Sequence, residues 1–419
     1  MTRFRKAGNE DVPALIDLIE RGFSVRSPHT VNSQEGMEHR ILFSYLYSLK
    51  GWDPARVQLA EENQQPVAAV GFFPQTLSFE GALIPVWAIS PVVTHPGYRG
   101  RDLAGECLRR GTEELREQEI PAVFLWGLPD YYPRFGFVPL LPRYRTRLNL
   151  NQSLRWPPLK GGALRPAVAD DWRELAGLYD SAIETRWLQP IRTAEWWRDR
   201  LAERDIEDGL LREVPFPMGR NLLVWETEEG GIGGYLYFKE EIERGSIIIT
   251  EAEAADEPAA GGMLRQLAAS LAPEYQTIVV QGTPEHRFNQ AAYRSGGTHW
   301  NPVPRFGMVK VLDWPLLLQR FRPLLMRRAA RLNQNGGDAE WRIGDFRNGG
   351  VGLRVSFGTP LEITLKGEPR DAEVNRLLTR VCFGFYDDID LQRVTGDIEL
   401  LRGLFPLRYP FIWDANYLY

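Results

Sequence analysis

Pro91-Val92-Val93-Thr94-His95-Pro96-Gly97-Tyr98-Arg99-Gly100-Arg101-Asp102-Leu103-Ala104-Gly105 is the stretch on which the fold turns. A β-branched run leads into a short turn of Gly and Arg, and a helical pattern follows. A strand that delivers its backbone to the start of a helix presents a cluster of amide N–H groups. The first helical turn adds unpaired donors and the positive end of the dipole, and such a cluster binds phosphate. Further along, an apolar strand pattern, Ala122-Val123-Phe124-Leu125-Trp126, precedes Tyr131-Tyr132-Pro133-Arg134-Phe135-Gly136-Phe137.

The turn Arg99-Gly100-Arg101-Asp102-Leu103-Ala104 resembles motif A of the GNAT N-acetyltransferases, Arg/Gln-x-x-Gly-x-Gly/Ala, and the Tyr132 segment resembles the late motif of the same superfamily. The resemblance implies that acetyl-CoA is the co-substrate. It implies that the amides of Gly100, Arg101, Asp102, Leu103, Ala104 and Gly105 hold the pyrophosphate, with Arg99 and Arg101 supplying charge. Val92, Val93 and Thr94 are the strand residues expected to bind the cofactor, with main-chain groups of Val92 and Thr94 pairing with the pantetheine arm like an added strand. Asp102 departs from the pattern, because the family has Gly there. A carboxylate beside the pyrophosphate is expected to weaken or alter cofactor binding.

Composition fits a globular chain of 419 residues, with 43% apolar and 25% charged residues, a net charge of −5 and a sequence pI near 5.8. This balance points away from a nucleic-acid partner. At about 150 residues per domain, two to three domains are expected. No apolar run reaches the roughly 18 residues of a membrane span, and Met1-Thr2-Arg3-Phe4-Arg5-Lys6 lacks an apolar signal core. A cytoplasmic protein without a membrane partner is expected. Cys107 and Cys382 lie far apart in apolar helical settings and read as packed thiols, and the five His residues show no metal-ligand spacing.

An internal repeat organises the chain. Arg5, Ala7, Asp11, Leu15 and Leu18 recur as Arg165, Ala167, Asp171, Leu175 and Leu178, and Val67-Ala68-Ala69-Val70-Gly71-Phe72-Phe73 has a counterpart in Ile232-Gly233-Gly234-Tyr235-Leu236-Tyr237-Phe238. The expected division is a catalytic GNAT domain over 1–150, a linker over 142–162, and a degenerate GNAT-like domain over 163–312. The second copy has lost the cofactor turn, since Glu251-Ala252-Glu253-Ala254-Ala255-Asp256-Glu257 stands in its place and acidic side chains repel a pyrophosphate.

A third unit over 313–419 opens with an amphipathic helix over 314–332 whose basic face reads as solvated. A hairpin joins 351–357 to 361–366, and helices follow over 373–383 and 399–405. This unit resembles a sterol-carrier-like α+β domain. The order of all three resembles the enhanced-intracellular-survival (Eis) acetyltransferases, also through the ending Leu404-Phe405-Pro406 and Pro410-Phe411-Ile412-Trp413. That family acetylates amines, notably aminoglycosides, and assembles as hexamers, so a homo-oligomer acting on a small-molecule amine is implied.

Acetyl transfer to an amine needs a base for the ammonium proton and an acid for the departing thiolate. The resemblance makes Tyr132 the acid, with Tyr131 an available alternative. It makes the C-terminal carboxylate of Tyr419 the base, with Asp414 or a water relay as substitutes. Acceptor specificity is expected from 23–51, from Trp87 and from the tail. Glu35 and Glu38 are either polyamine receptors or solvated charges. Other readings remain: an acyl-CoA-binding or sensing protein without turnover, a GNAT enzyme acting on a protein amine, or a lipid carrier acting through the third unit.

Overall fold

The computed structural model describes residues 2–27, 30–49, 51–142, 144–150, 161–183, 185–202, 221–241, 245–271, 274–300, 306–334, 336–344 and 350–409. Tyr419, Asp414 and the ending around Trp413 lie outside the described residues.

Two mixed sheets share one plan. The first runs Arg3–Lys6, Val57–Glu62, Gln65–Phe73, Ala82–Thr94, Ala122–Gly127, Phe306–Val311, Val138–Leu141. The second runs Gly162–Pro166, Leu222–Thr227, Ile232–Glu241, Ser246–Ala254, Thr277–Gln281, Arg145–Asn149, Thr298–Trp300. In each, the fourth and fifth strands are parallel and all other neighbours antiparallel.

The repeat has a physical basis in one ion pair. Arg5 grips Asp11 with both guanidinium arms (2.6 and 2.7 Å), and Arg165 grips Asp171 likewise (2.8 and 3.0 Å). Each carboxylate also accepts from a backbone amide three residues earlier, Gly8 or Val168, at 2.7 Å. The strand end is thereby tied to the start of the following helix, Val12–Ser24 or Trp172–Asp180, whose Leu15 and Leu175 are fully buried.

The expected division between the first unit (1–150) and the second (163–312) is crossed by three strands, one of them Trp187–Pro190, which pairs with Thr76–Phe79, the hairpin partner of Ala82–Thr94 in the first sheet. Arg145–Asn149, inside the expected linker, pairs with Thr277–Gln281 in the second sheet, and Phe306–Val311 pairs with Ala122–Gly127 in the first. Each sheet thus takes its sixth strand from beyond the expected boundary. Alternation shows that Thr146 and Leu148 face inward, but a period of two says nothing about which sheet a strand joins.

Helices Val12–Ser24 and Ser33–Ser48 cover one face of the first sheet with Leu15, Leu18, Ile19, Phe43 and Leu46. Helix Leu103–Glu117 covers the other with Leu103, Ala104, Cys107, Leu108 and Leu115. Both cysteines are buried free thiols, and burial pushes the Cys107 thiol up to about 12.

The third unit has a sheet in the order Glu362–Lys366, Val351–Ser356, Asp338–Ile343, Val394–Thr395, with helices Trp314–Arg331, Ala372–Cys382 and Ile398–Leu404 among those beside it. The hairpin forms as expected, with Gly352 opposite Lys366. The first helix differs from its reading. Arg328 is 4% exposed, donates to the Leu404 carbonyl at 2.7 Å and pairs with Glu80 at 3.0 Å, and Arg327 donates to the Glu80 carbonyl. Part of the basic face therefore docks on the first sheet's hairpin. Phe79, Trp187, Phe321 and Phe383, drawn from all three parts of the chain, pack edge to face or stacked within 4.8–6.2 Å.

Candidate active site

The central strand of the first sheet parts from its parallel neighbour. Ala82–Thr94 pairs with Ala122–Gly127 at Val86↔Ala122, Trp87↔Val123 and Ala88↔Phe124, and no further. On its other side a one-residue bulge lies between Phe72↔Ile89 and Val70↔Val92. Bulges bend the strand that carries them, which turns Ile89–Thr94 away from the neighbour. Gly71 sits against this bulge, and a Cβ there would stand 2.5 Å from the Ser90 carbonyl oxygen.

His95 donates to the Val67 carbonyl at 2.9 Å. Main-chain groups alternate sides along an antiparallel strand, so Val93, opposite Ala69, also turns its backbone into the sheet. Val92 and Thr94 turn theirs the other way, toward the gap that the parting strands leave. Val93 departs from the expected set: its main chain serves the sheet and its buried side chain packs on Gly22, where a Cβ would lie 2.1 Å from Val93 Cγ2.

After Pro96–Tyr98 the chain takes left-handed conformations at Gly100 (φ +81°) and Asp102 (φ +54°) before helix Leu103–Glu117 begins. Gly is favoured in such conformations, and Asp is among the few other residues that visit them. The first helical bond here runs from the Glu106 amide to the Asp102 carbonyl (3.0 Å). The amides of Leu103, Ala104 and Gly105 precede it and have no carbonyl within the helix to bond. The turn therefore has the donor cluster that a pyrophosphate needs.

Asp102 does not face this cluster alone. Its Oδ1 accepts from Arg134 Nη2 at 2.9 Å and its Oδ2 from Arg109 Nη2 at 2.8 Å. Two guanidiniums on one carboxylate leave the mouth of the turn cationic, so the repulsion expected from Asp102 is offset. The two predicted arginines are engaged elsewhere. Arg101 pairs with Glu62 and lies over Tyr98 at 5.3 Å, and Arg99 donates to the Gly22 carbonyl at 2.7 Å in the last turn of helix Val12–Ser24. Sequence reading missed Arg109 and Arg134 as charges of the turn; Arg134 stood inside the quoted motif, but nothing in the motif shows which carboxylate it meets.

Tyr132 opens the 3-10 turn Tyr132–Phe135 and is 8% exposed. Its ring lies on Gly127, where a Cβ would be 2.0 Å from Tyr132 Cε2, and it meets Tyr131 and Phe137 edge to face at 5.0 and 5.9 Å. Arg134 covers Tyr131 (4.2 Å) and Phe135 (4.7 Å), and Arg109 reaches over Phe135 (5.6 Å). The Tyr132 turn and the Gly100–Gly105 turn are thus brought together across the parted strands.

The expected acceptor groups are not all brought together. Trp87 packs on the face covered by helix Leu103–Glu117, while Glu35 and Glu38 belong to helix Ser33–Ser48 on the opposite face.

In the second sheet Ser246–Ala254 also parts from Thr277–Gln281 after Ile249↔Val280, with a one-residue bulge between Tyr237↔Glu251 and Phe238↔Ile249. No donor cradle follows. The Asp256 side chain accepts from the Ala259 amide (2.7 Å), helix Glu257–Leu271 starts at once, and no residue from 255 to 262 is left-handed.

Residues 3–140 match the family model described as an acetyltransferase (GNAT) domain, and this part of the chain is a GNAT acetyltransferase domain. The chain is 33% identical over 86 residues to the uncharacterized N-acetyltransferase YjhQ of Escherichia coli K12, a match that covers 20% of this chain and 48% of that protein. It therefore spans less than half the length of the curated relative it matches. Over nearly the whole chain the fold is that of a GCN5-related N-acetyltransferase from Anabaena variabilis (TM-score 0.68, 16% identity, 98% of this chain and 99% of that chain). It is also similar to Eis1 from Mycobacterium abscessus (TM-score 0.58, 14% identity, 97% of both chains). At these identities the likeness is one of fold.

Proposed function

We propose that this chain is an N-acetyltransferase that moves the acetyl group of acetyl-CoA to a primary amine of a small molecule, an aminoglycoside or other polyamine being the class the Eis-like order favours. The observation that carries the reading is the parting of the central strands beyond Ala88 and Phe124, with the amides of 100–105 at the end of one strand and Tyr132 beyond the end of the other. Val92 and Thr94 offer the open edge to the pantetheine, and Gly100–Gly105 with Arg109 and Arg134 receive the phosphates. Acetyl-CoA supplies the activated acyl group and a thiolate leaving group.

Tyr132 protonates that thiolate. A phenol near pKa 10 is matched to a thiol near 8.5, and packing on Gly127, Tyr131 and Phe137 holds the ring in one place. The Tyr419 carboxylate takes the ammonium proton, with Asp414 or a water relay as the substitutes. The second sheet acts as a structural partner, its GNAT-like plan lacking the donor turn. The sterol-carrier-like third unit, a hexameric assembly and a cytoplasmic location complete the proposal through the same family resemblance. Among the described residues no helix is long and apolar enough to cross a membrane.

The test is release of free thiol from acetyl-CoA across aminoglycosides, polyamines, peptide amino termini and simple amines. Amine-dependent release is expected. Saturable CoA binding with no release on any amine would replace the transferase by an acyl-CoA sensor. Light scattering reads the assembly, and a single monomeric species would remove the hexamer.

A further inference from the structure

Arg134 stands two residues after Tyr132 yet bonds to Asp102, at the N-terminal end of the helix that follows the cofactor turn (2.9 Å). The same guanidinium lies over Tyr131 and Phe135, the two rings that flank Tyr132 and close its turn (4.2 and 4.7 Å). Asp102 shares itself with Arg109, whose other partner is Glu106 at 3.1 Å. Asp102, Arg109 and Arg134 are each close to half exposed (44%, 49% and 52%). Ion pairs at such exposure are weak and exchange readily. A guanidinium carries five N–H donors in a fixed fork, so it can hold one anion while it takes a second.

We propose that Arg134 is a positioning residue and that, with Asp102, it forms a latch between the cofactor turn and the Tyr132 turn. The inference rests on the acetyl-CoA reading given above. In the free protein Asp102 parks Arg134 where the phosphates of CoA will arrive. A bound pyrophosphate shares the guanidinium with Asp102, and the Tyr131–Phe135 turn is drawn tight because its own arginine is the clasp. Cofactor binding then tightens the turn that carries Tyr132, whose ring is already packed on Gly127, Tyr131 and Phe137. The carboxylate that departs from the family pattern acts as the resting partner of this clasp, and its left-handed backbone (φ +54°) places it at the mouth of the helix.

The probe is CoA itself, with affinity read by calorimetry and order read by hydrogen exchange in the segments 96–106 and 127–137. In the unaltered protein CoA slows exchange in both. Arg134→Gln is expected to raise the Kd about tenfold, the size of one charge-assisted hydrogen bond. In that variant CoA still protects 96–106 but no longer protects 127–137. Asp102→Asn keeps the left-handed turn and loses the resting partner. Exchange in 127–137 then quickens in the free protein, and CoA restores protection there.

Equal thermal midpoints of the three proteins show that each is folded. Arg134→Gln with wild-type protection of 127–137 by CoA would overturn the latch and leave the cofactor site standing. An unaltered protein that binds no CoA would overturn both readings together.

Discussion

Arg192 and Glu251 form a two-pronged ion pair, Nη1 to Oε1 at 2.7 Å and Nη2 to Oε2 at 2.6 Å, with side chains 2% and 0% exposed. It lies on the strand Ser246–Ala254 just past the point where the second sheet parts, and the Tyr235 hydroxyl donates to Glu251 Oε1 at 2.9 Å. The Arg192 guanidinium lies over the rings of Tyr179, Trp196 and Trp197 at 4.2, 4.0 and 4.9 Å. Removing one partner of a buried pair leaves the other without compensation. Glu251→Gln should therefore destabilise the protein by about 3–5 kcal/mol, read by urea unfolding. A loss below about 1 kcal/mol would show that water already reaches the pair.

Tyr132 depends on the absence of a side chain at Gly127. A methyl at that position would overlap the phenol ring at 2.0 Å, so Gly127→Ala must displace the ring. A misplacement of about 1 Å can cost about a hundredfold in rate, and a missing general acid costs a similar factor. Thiol release should fall about that far in both Gly127→Ala and Tyr132→Phe, with CoA affinity nearly intact in each. Unchanged turnover in Tyr132→Phe would move the acid role to Tyr131 or to water.

His286 carries a pH dependence of stability. Burial holds its imidazole well below the ordinary range, Arg186 and Arg287 add to the effect, and Glu253, at 3.7 Å, does not cancel it. Below pH 6.5 the unfolded chain binds a proton that the folded protein refuses, so stability falls as pH falls. The slope from this one group rises toward about 1.4 kcal/mol per pH unit as the unfolded imidazole becomes fully protonated. His286→Gln should lessen the fall between pH 6.5 and 5.5 by about 1 kcal/mol, because the unfolded imidazole is only half protonated at pH 6.5, and identical slopes in the two proteins would exclude the group.

Cutting the chain at 150 should yield no folded first half. The fragment 1–150 lacks Phe306–Val311, which lies between Ala122–Gly127 and Val138–Leu141, and it carries Arg145–Asn149 with no sheet to enter. A dispersed amide spectrum from the isolated fragment would contradict the strand exchange.

Much of the fold was legible because its signals are local. The Arg and Asp of the repeat are six residues apart, and the grip between them is the same at both copies. The short turn into the helix at Leu103 was legible for a similar reason, since Gly, Arg and a helical start within a few residues mark it, whereas the left-handed backbone at Gly100 and Asp102 came only from the structure. What the local pattern did not carry was the partner of each charge. Asp102 was read as a repellent because Arg134 is far away in sequence, Arg101 was read as a free cation although Glu62 claims it, and Arg328 was read as solvated although Glu80 lies across the domain boundary.

The sequence by itself determined the motif turn, the repeated strand-to-helix unit and the loss of the donor cradle in the second copy, because each depends on residues within a turn or two of one another. Only the tertiary structure decided that the halves exchange their sixth strands, that Val93 faces the sheet while Val92 and Thr94 face the cleft, and that Arg109 and Arg134 converge on Asp102. Strand partners, faces and ion pairs are set by which surfaces meet when the core closes, and a one-dimensional pattern of apolar and polar residues is compatible with several such meetings.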